Sequence, residues 1–190
     1  MHHADPAVVD AVIEHIESLH LITPTLRSHG DTIPSRLRHS ANVFIIAKNL
    51  QMETLKRLAL IVWSENANSA LYGAFSVSDL TDLMQLIWRN TGPPRTATAD
   101  GADVRFRFAA LRLAAAYRGR YLNIAYTVEK SEEVQSHFLR KPDLHKQLLD
   151  HERELPALDA FLTSEEPLAW ELAKTYDEEV RELSAYRDSW

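Results

Sequence analysis

Apolar side chains return every three or four residues along most of this chain, a spacing that a helix turns into a continuous face and a strand does not. The first segment shows it: Val8, Val9, Val12, Ile13, Ile16, Leu19 and Ile22 recur at that interval, with Asp10, Glu14, Glu17 and Ser18 between them. Asp5 and Pro6 stand ahead of it, a capping carboxylate followed by a residue whose missing N–H costs nothing in a first turn. Together they predict a helix over roughly 6–22, with Pro24 or Gly30 closing any extension.

The pattern continues after Pro34. Ser35 to about Leu50 carries Ala41, Val43, Phe44, Ile45, Ile46 and Ala47 with little polar surface, which predicts a central helix. Met52 to Trp63 repeats that character, and the β-branched residues of both segments leave a buried strand as the competing reading for each. The small polar run from Ser64 to Ala70 reads as either a continued helix or a turn before Gly73. Ser78 is the expected cap of the next helix, ahead of Leu80, Leu83, Met84, Ile87 and Trp88. Residues 91–103 hold two prolines and two glycines and read as a loop. From Val104 to about Leu139 one or two helices are expected, with Gly119 as a weak point, and further short helices should start near Pro142, Leu155 and Glu165.

The fold class that follows is all-α, a single bundle-like domain over 1–190 with about six to eight helices. It divides into a helical half at 5–90, the loop at 91–103 and a second helical half at 104–190. Only five glycines occur, never clustered, which fits helices and removes the Gly-rich loop that nucleotide-binding folds bring against a phosphate. Cysteine is absent, so disulfides, thiolate nucleophiles and Cys-ligated metals are closed to the chain. No apolar run reaches membrane-spanning length and no secretory leader is evident, so a cytoplasmic location is expected.

Four groups of residues could carry chemistry or binding. The first is Arg140-Lys-Pro-Asp-Leu-His145, an arginine and a histidine with four residues between them. This spacing resembles the RxxxxH signature of HEPN-type ribonucleases, over six residues of the 190. The resemblance implies a dimer in which paired Arg140 and His145 meet at a cleft, act on an RNA phosphate and help activate the ribose 2′-hydroxyl without metal. Lys141-Pro142 departs from the polar residue common after the arginine, and the proline sets a helix break between the two.

The second is a basic stripe, Arg105, Arg107, Arg112, Arg118 and Arg120, with no acid between its ends. Phosphates would suit it. The 27 acidic against 21 basic residues, formal charge -6, favour an internal partner instead. One is at hand, because Asp150 to Trp190 carries twelve acids against Arg153, Lys174, Arg181 and Arg187. Tyr117, Tyr121 and Tyr126 on the same segment read as a core edge with hydroxyls near water.

Trp63, Glu65, Asn66, Asn68 and Tyr72 follow the most apolar segment and form a possible small-ligand pocket. Last, Glu14, Glu17 and His20, with Glu133 and His137, come near the Glu-x-x-His spacing of di-metal bundles but lack its four inward carboxylates, so they read as solvated faces. No metal or other cofactor is expected. The function expected from these residues is that of a non-enzymatic helical adaptor or regulatory protein, working on another protein or on a second copy of itself. The alternatives are the Arg140/His145 ribonuclease and a helical small-ligand or di-metal protein.

Overall fold

The computed structural model describes residues 5–18, 32–70, 76–92 and 101–187. Among them every regular element is a helix. These are α1 (Pro6–Glu17), α2 (Ile33–Asn49), α3 (Glu53–Ala70), α4 (Val77–Asn90), α5 (Gly101–Lys130), α6 (Glu132–Leu139), α7 (Pro142–Glu165) and α8 (Pro167–Arg187). The all-α class expected from the periodicity is what the chain adopts, and the competing strand reading of 35–63 does not hold.

Helix starts follow local chemistry. The Asp5 carboxylate accepts from the Ala7 N–H at 3.0 Å, with Pro6 in the first turn. Thr32 caps α2 by accepting from the Ser35 N–H at 3.3 Å. α4 begins two residues earlier than its expected cap allows. Ser76, not Ser78, takes that place, its Oγ accepting from the Asp79 N–H at 2.9 Å and bonding the Asp79 carboxylate at 2.7 Å. The Ser78 N–H is satisfied instead by Glu154 of α7 at 3.1 Å.

α2 ends in a paired closure: Gln51 N–H donates to the Lys48 carbonyl at 3.0 Å and Met52 N–H to the Ala47 carbonyl at 2.8 Å. Gln51 sits at φ 58°, the left-handed conformation this closure needs. The short connection turns α3 back onto α2, and the two pack along their length.

Packing divides the chain into two units, Met1–Phe75 with Asp82–Ala109 and Ser76–Thr81 with Ala110–Trp190. In the first, α1 packs on α2, and Phe44, Trp63 and Phe106 meet at the centre. The Phe44 and Phe106 ring centroids lie 4.4 Å apart, and Trp63 meets Phe106 edge-on at 5.4 Å. Leu37, Leu55, Leu83, Met84 and Ile87 are fully buried around them. Some of the polar groups buried in this unit are tied to helix ends. Lys48 pairs with the buried Asp103 at 2.6 Å and donates to the Asn90 carbonyl at 3.0 Å. Asp103 belongs to the first turn of α5, so the helix starts at Gly101 and the expected loop is shorter at that end. The rest of that loop, residues 93–100, lies outside the described residues.

In the second unit α7 packs on α8 and α6 on α7. Leu155, Leu158, Leu162, Trp170 and Ala173 are buried there, with Leu111, Leu113 and Ala114 of α5. Two expected breaks are absent. α7 runs through Pro156, although that residue supplies no N–H to the turn before it. α5 runs through Gly119, where side chains of α8 reach its backbone. A methyl added there would stand 2.2 Å from Asp177 Oδ2 and 2.7 Å from the Arg181 guanidinium carbon. Arg181 donates to the Gly119 carbonyl at 3.3 Å and to Asp177 at 2.8 Å. The glycine is a seat for a helix crossing. The break that does occur is at Ser131, between α5 and α6.

Candidate functional site

Arg140 and His145 fall on the two sides of the break that Pro142 imposes. Arg140 follows the last turn of α6, its N–H donating to the Ser136 carbonyl at 3.2 Å, and its side chain is exposed. His145 lies in the first turns of α7 and is half-buried. Within the chain Arg140 lies in the connecting turn and His145 in α7.

The five arginines of the stripe have separate fates. Arg107 is buried and donates to Thr91 Oγ1 at 2.8 Å, to the Thr91 carbonyl, and to the Trp88 carbonyl at 3.2 Å, its guanidinium lying over the Trp88 ring. It holds the carbonyl end of α4, the end of a helix that favours a cation. Arg118 pairs with Asp159 of α7 at 3.2 Å, and Arg112 lies over the Tyr176 ring of α8, 5.3 Å from its centroid. Side chains from the acidic C-terminal segment therefore do meet this helix. Arg105 and Arg120 are exposed.

The five residues of the suspected pocket are not brought to one place. Trp63 points into the core beside Phe106. Glu65 and Asn68 are exposed and Asn66 is half-buried on an edge of α3. Tyr72 lies outside the described residues. Among the described residues no group of three His, Asp or Glu side chains stands close enough to hold a metal ion. Glu133 and His137 are exposed on α6, and His20 lies outside the described residues.

A cluster that spacing could not show joins α5 to α7. His151 sits between Tyr117 and Tyr121, its ring stacked on each with centroids 5.5 Å away. Its Nδ1 faces the Gln147 carbonyl, which can only accept, so in the neutral ring Nδ1 carries the hydrogen and Nε2 accepts from the Tyr117 hydroxyl. The Tyr121 hydroxyl donates to the Leu148 carbonyl at 3.4 Å. Burial pushes the Tyr117 hydroxyl far above its ordinary value; the Arg120 charge opposes this and the Glu154 and Asp79 carboxylates add to it. Burial and the Glu152 carboxylate raise Tyr121 as well. Both tyrosines edge the core as expected, but His151, 34 residues from Tyr117 along the chain, could not be paired with it by any local pattern. Both its ring nitrogens are engaged, so the cluster ties α5 to α7.

Two helices also leave large apolar side chains open to solvent. α8 turns Trp170 and Ala173 inward, while Leu168, Leu172, Tyr176 and Val180 are 67%, 61%, 51% and 42% exposed. At 100° per residue these four advance about 40° from one to the next, so they form a single ridge that winds beside the packed side, from Leu168 about 160° away from Trp170 to Val180 about 20° from Ala173. α1 is similar on a smaller scale. Val8, Ala11, Val12 and His15 face inward, while Val9, Ile13 and Ile16 face out. The expected single face of that segment is therefore split in two, and its continuation through Leu19 and Ile22 lies outside the described residues. Among the described residues no helix is long and apolar enough to cross a membrane. Neither a family model, a curated protein nor a solved structure matches the chain.

Proposed function

We propose that this chain is a non-enzymatic helical adaptor or regulatory protein that acts by binding another protein, in the cytoplasm. The observation that carries the reading is the outer face of α8. Large apolar side chains in line along one helix are costly to leave in water, each worth about 1.5–3 kcal/mol when fully buried; Leu168 and Leu172 are more than half exposed, and Tyr176, with Arg112 over its ring, and Val180 continue the line. A face of this kind is what a helix-on-helix interface uses for its core, with charged residues at the rim.

The arginine and histidine pair offers less support for a reaction. Arg140 lies in the turn before Pro142 while His145 lies within α7, and the buried Asp103 and Arg107 are engaged with helix ends. The test is affinity capture from lysate with the full chain and with Leu172→Ser, washed at low and at high salt, identifying bound protein and bound nucleic acid. A protein partner that survives high salt and is lost with Leu172→Ser supports the reading, since apolar interfaces persist where phosphate contacts fall away. RNA recovered at low salt, equally by both chains and without a protein partner, overturns it and directs attention to Arg140, His145 and Arg105.

A further inference from the structure

The charge around the α8 face narrows the kind of partner it fits. Glu171, Glu178 and Glu182 run along one border of the apolar line and Glu179 stands within it, all exposed. Glu171 is answered by Lys174 at 2.6 Å, but Glu178, Glu179 and Glu182 have no ion-pair partner among the described residues. The two basic residues of this stretch are turned away from the face. Lys174 lies over the buried Trp170 ring, and Arg181 is held by Asp177 and the Gly119 carbonyl. On the other border the single cation is Arg112, over Tyr176.

From this placement we infer that the outer face of α8 docks a cationic amphipathic helix, with leucine-like side chains laid on Leu168, Leu172, Tyr176 and Val180 and lysine or arginine along the flank that meets Glu178 and Glu182. The inference rests on the interaction reading above and names the chemistry of the partner. A second copy of α8 is the poorer occupant, because a two-fold pairing of this face would bring uncompensated carboxylates against each other. An anionic surface, nucleic acid or acidic lipid, is opposed by the same charges. The apolar line spans about 18 Å at 1.5 Å per residue, so the matching partner segment is about 12–14 residues long.

The full chain is titrated with a fluorescent synthetic helical peptide of about 14 residues, leucines at three-and-four spacing and lysines on one flank, and with the same peptide carrying glutamate for lysine. The lysine peptide is expected to bind and the glutamate peptide not to. Leu172→Ser and Leu168→Ser, each checked for unchanged helix content, weaken binding by at least about tenfold. Glu178→Gln with Glu182→Gln weakens it several-fold and flattens its salt dependence. Equal binding of both peptides, or binding untouched by the leucine variants, overturns the inference. So does a concentration-dependent dimer in sedimentation that Leu172→Ser abolishes, which gives the face to a second copy and leaves the interaction reading standing. If the peptide fails while a salt-resistant partner is still lost with Leu172→Ser, only the partner's charge has been misassigned.

Discussion

α2 and α8 are both rich in large apolar side chains, and they spend them differently. In α2, Leu37, Val43, Phe44 and Ile45 are buried on nearly every side, because α1 lies on the helix, α3 turns back along it and Phe106 closes over Phe44. In α8 the packed face needs only Trp170 and Ala173, and Leu168, Leu172, Tyr176 and Val180 face water. Apolar content alone says how much surface a helix would bury. The number of neighbours decides how much it does bury, and the surplus on α8 is where a partner can act.

The contrast can be broken most easily at the α2 end. Phe44→Ala is expected to cost about 3–5 kcal/mol in denaturant unfolding, the range for emptying an aromatic site in a closed core. A cost below about 1 kcal/mol would mean that α2 is not enclosed. For α8, the inner face is tested by Gly119→Leu, which pushes a side chain into Asp177 and Arg181. The ends of those two side chains can swing aside, so a loss of about 1 kcal/mol is expected from the displaced Arg181 hydrogen bond, whereas a loss above about 3 kcal/mol would mean that the α8 backbone itself blocks the site.

Alkaline titration probes the tie between α5 and α7. Tyr117 and Tyr121 have raised values in the folded chain, so it retains protons that the unfolded chain releases above about pH 10. The stability they lend is intact below that pH and falls as pH rises through the folded-state values. Tyrosinate absorbance should therefore lag in part, and Tyr117→Phe should remove the latest part of the rise. The smallest effect belongs to the outer face. Leu172→Ser should change stability by no more than about 0.5 kcal/mol while removing binding, which separates a docking residue from a core residue.

The fold was legible where its causes are local. Asp5 with Pro6, the apolar run after Pro34 and the start at Pro142 each act within a turn of helix, and each marks an element as it stands. Positions decided by distant packing were not legible. Gly119 reads locally as a weak point and Leu155 as the start of a new helix, and the helices run through both. Ser76 outcompetes Ser78 because Asp79 completes its cap while Glu154, far along the chain, serves the Ser78 N–H. The same holds for the site. Val8 and Val9, or Trp170 and Leu172, look equivalent in a three-and-four pattern, and only the neighbour on one side tells the buried set from the exposed one. Arg107 shows the reverse, an arginine that sequence places on a charged stripe and packing turns inward to Thr91 and Trp88.

Hydroxyl-radical footprinting of the dilute full chain, read residue by residue, tests the outward face of α8 directly. Leu168, Leu172, Tyr176 and Val180 should label strongly while Phe44, Trp63 and Trp170 stay protected. Protection of the α8 leucines to the level of Phe44 in the isolated chain would show that the chain already buries this face, and the docking surface would not exist.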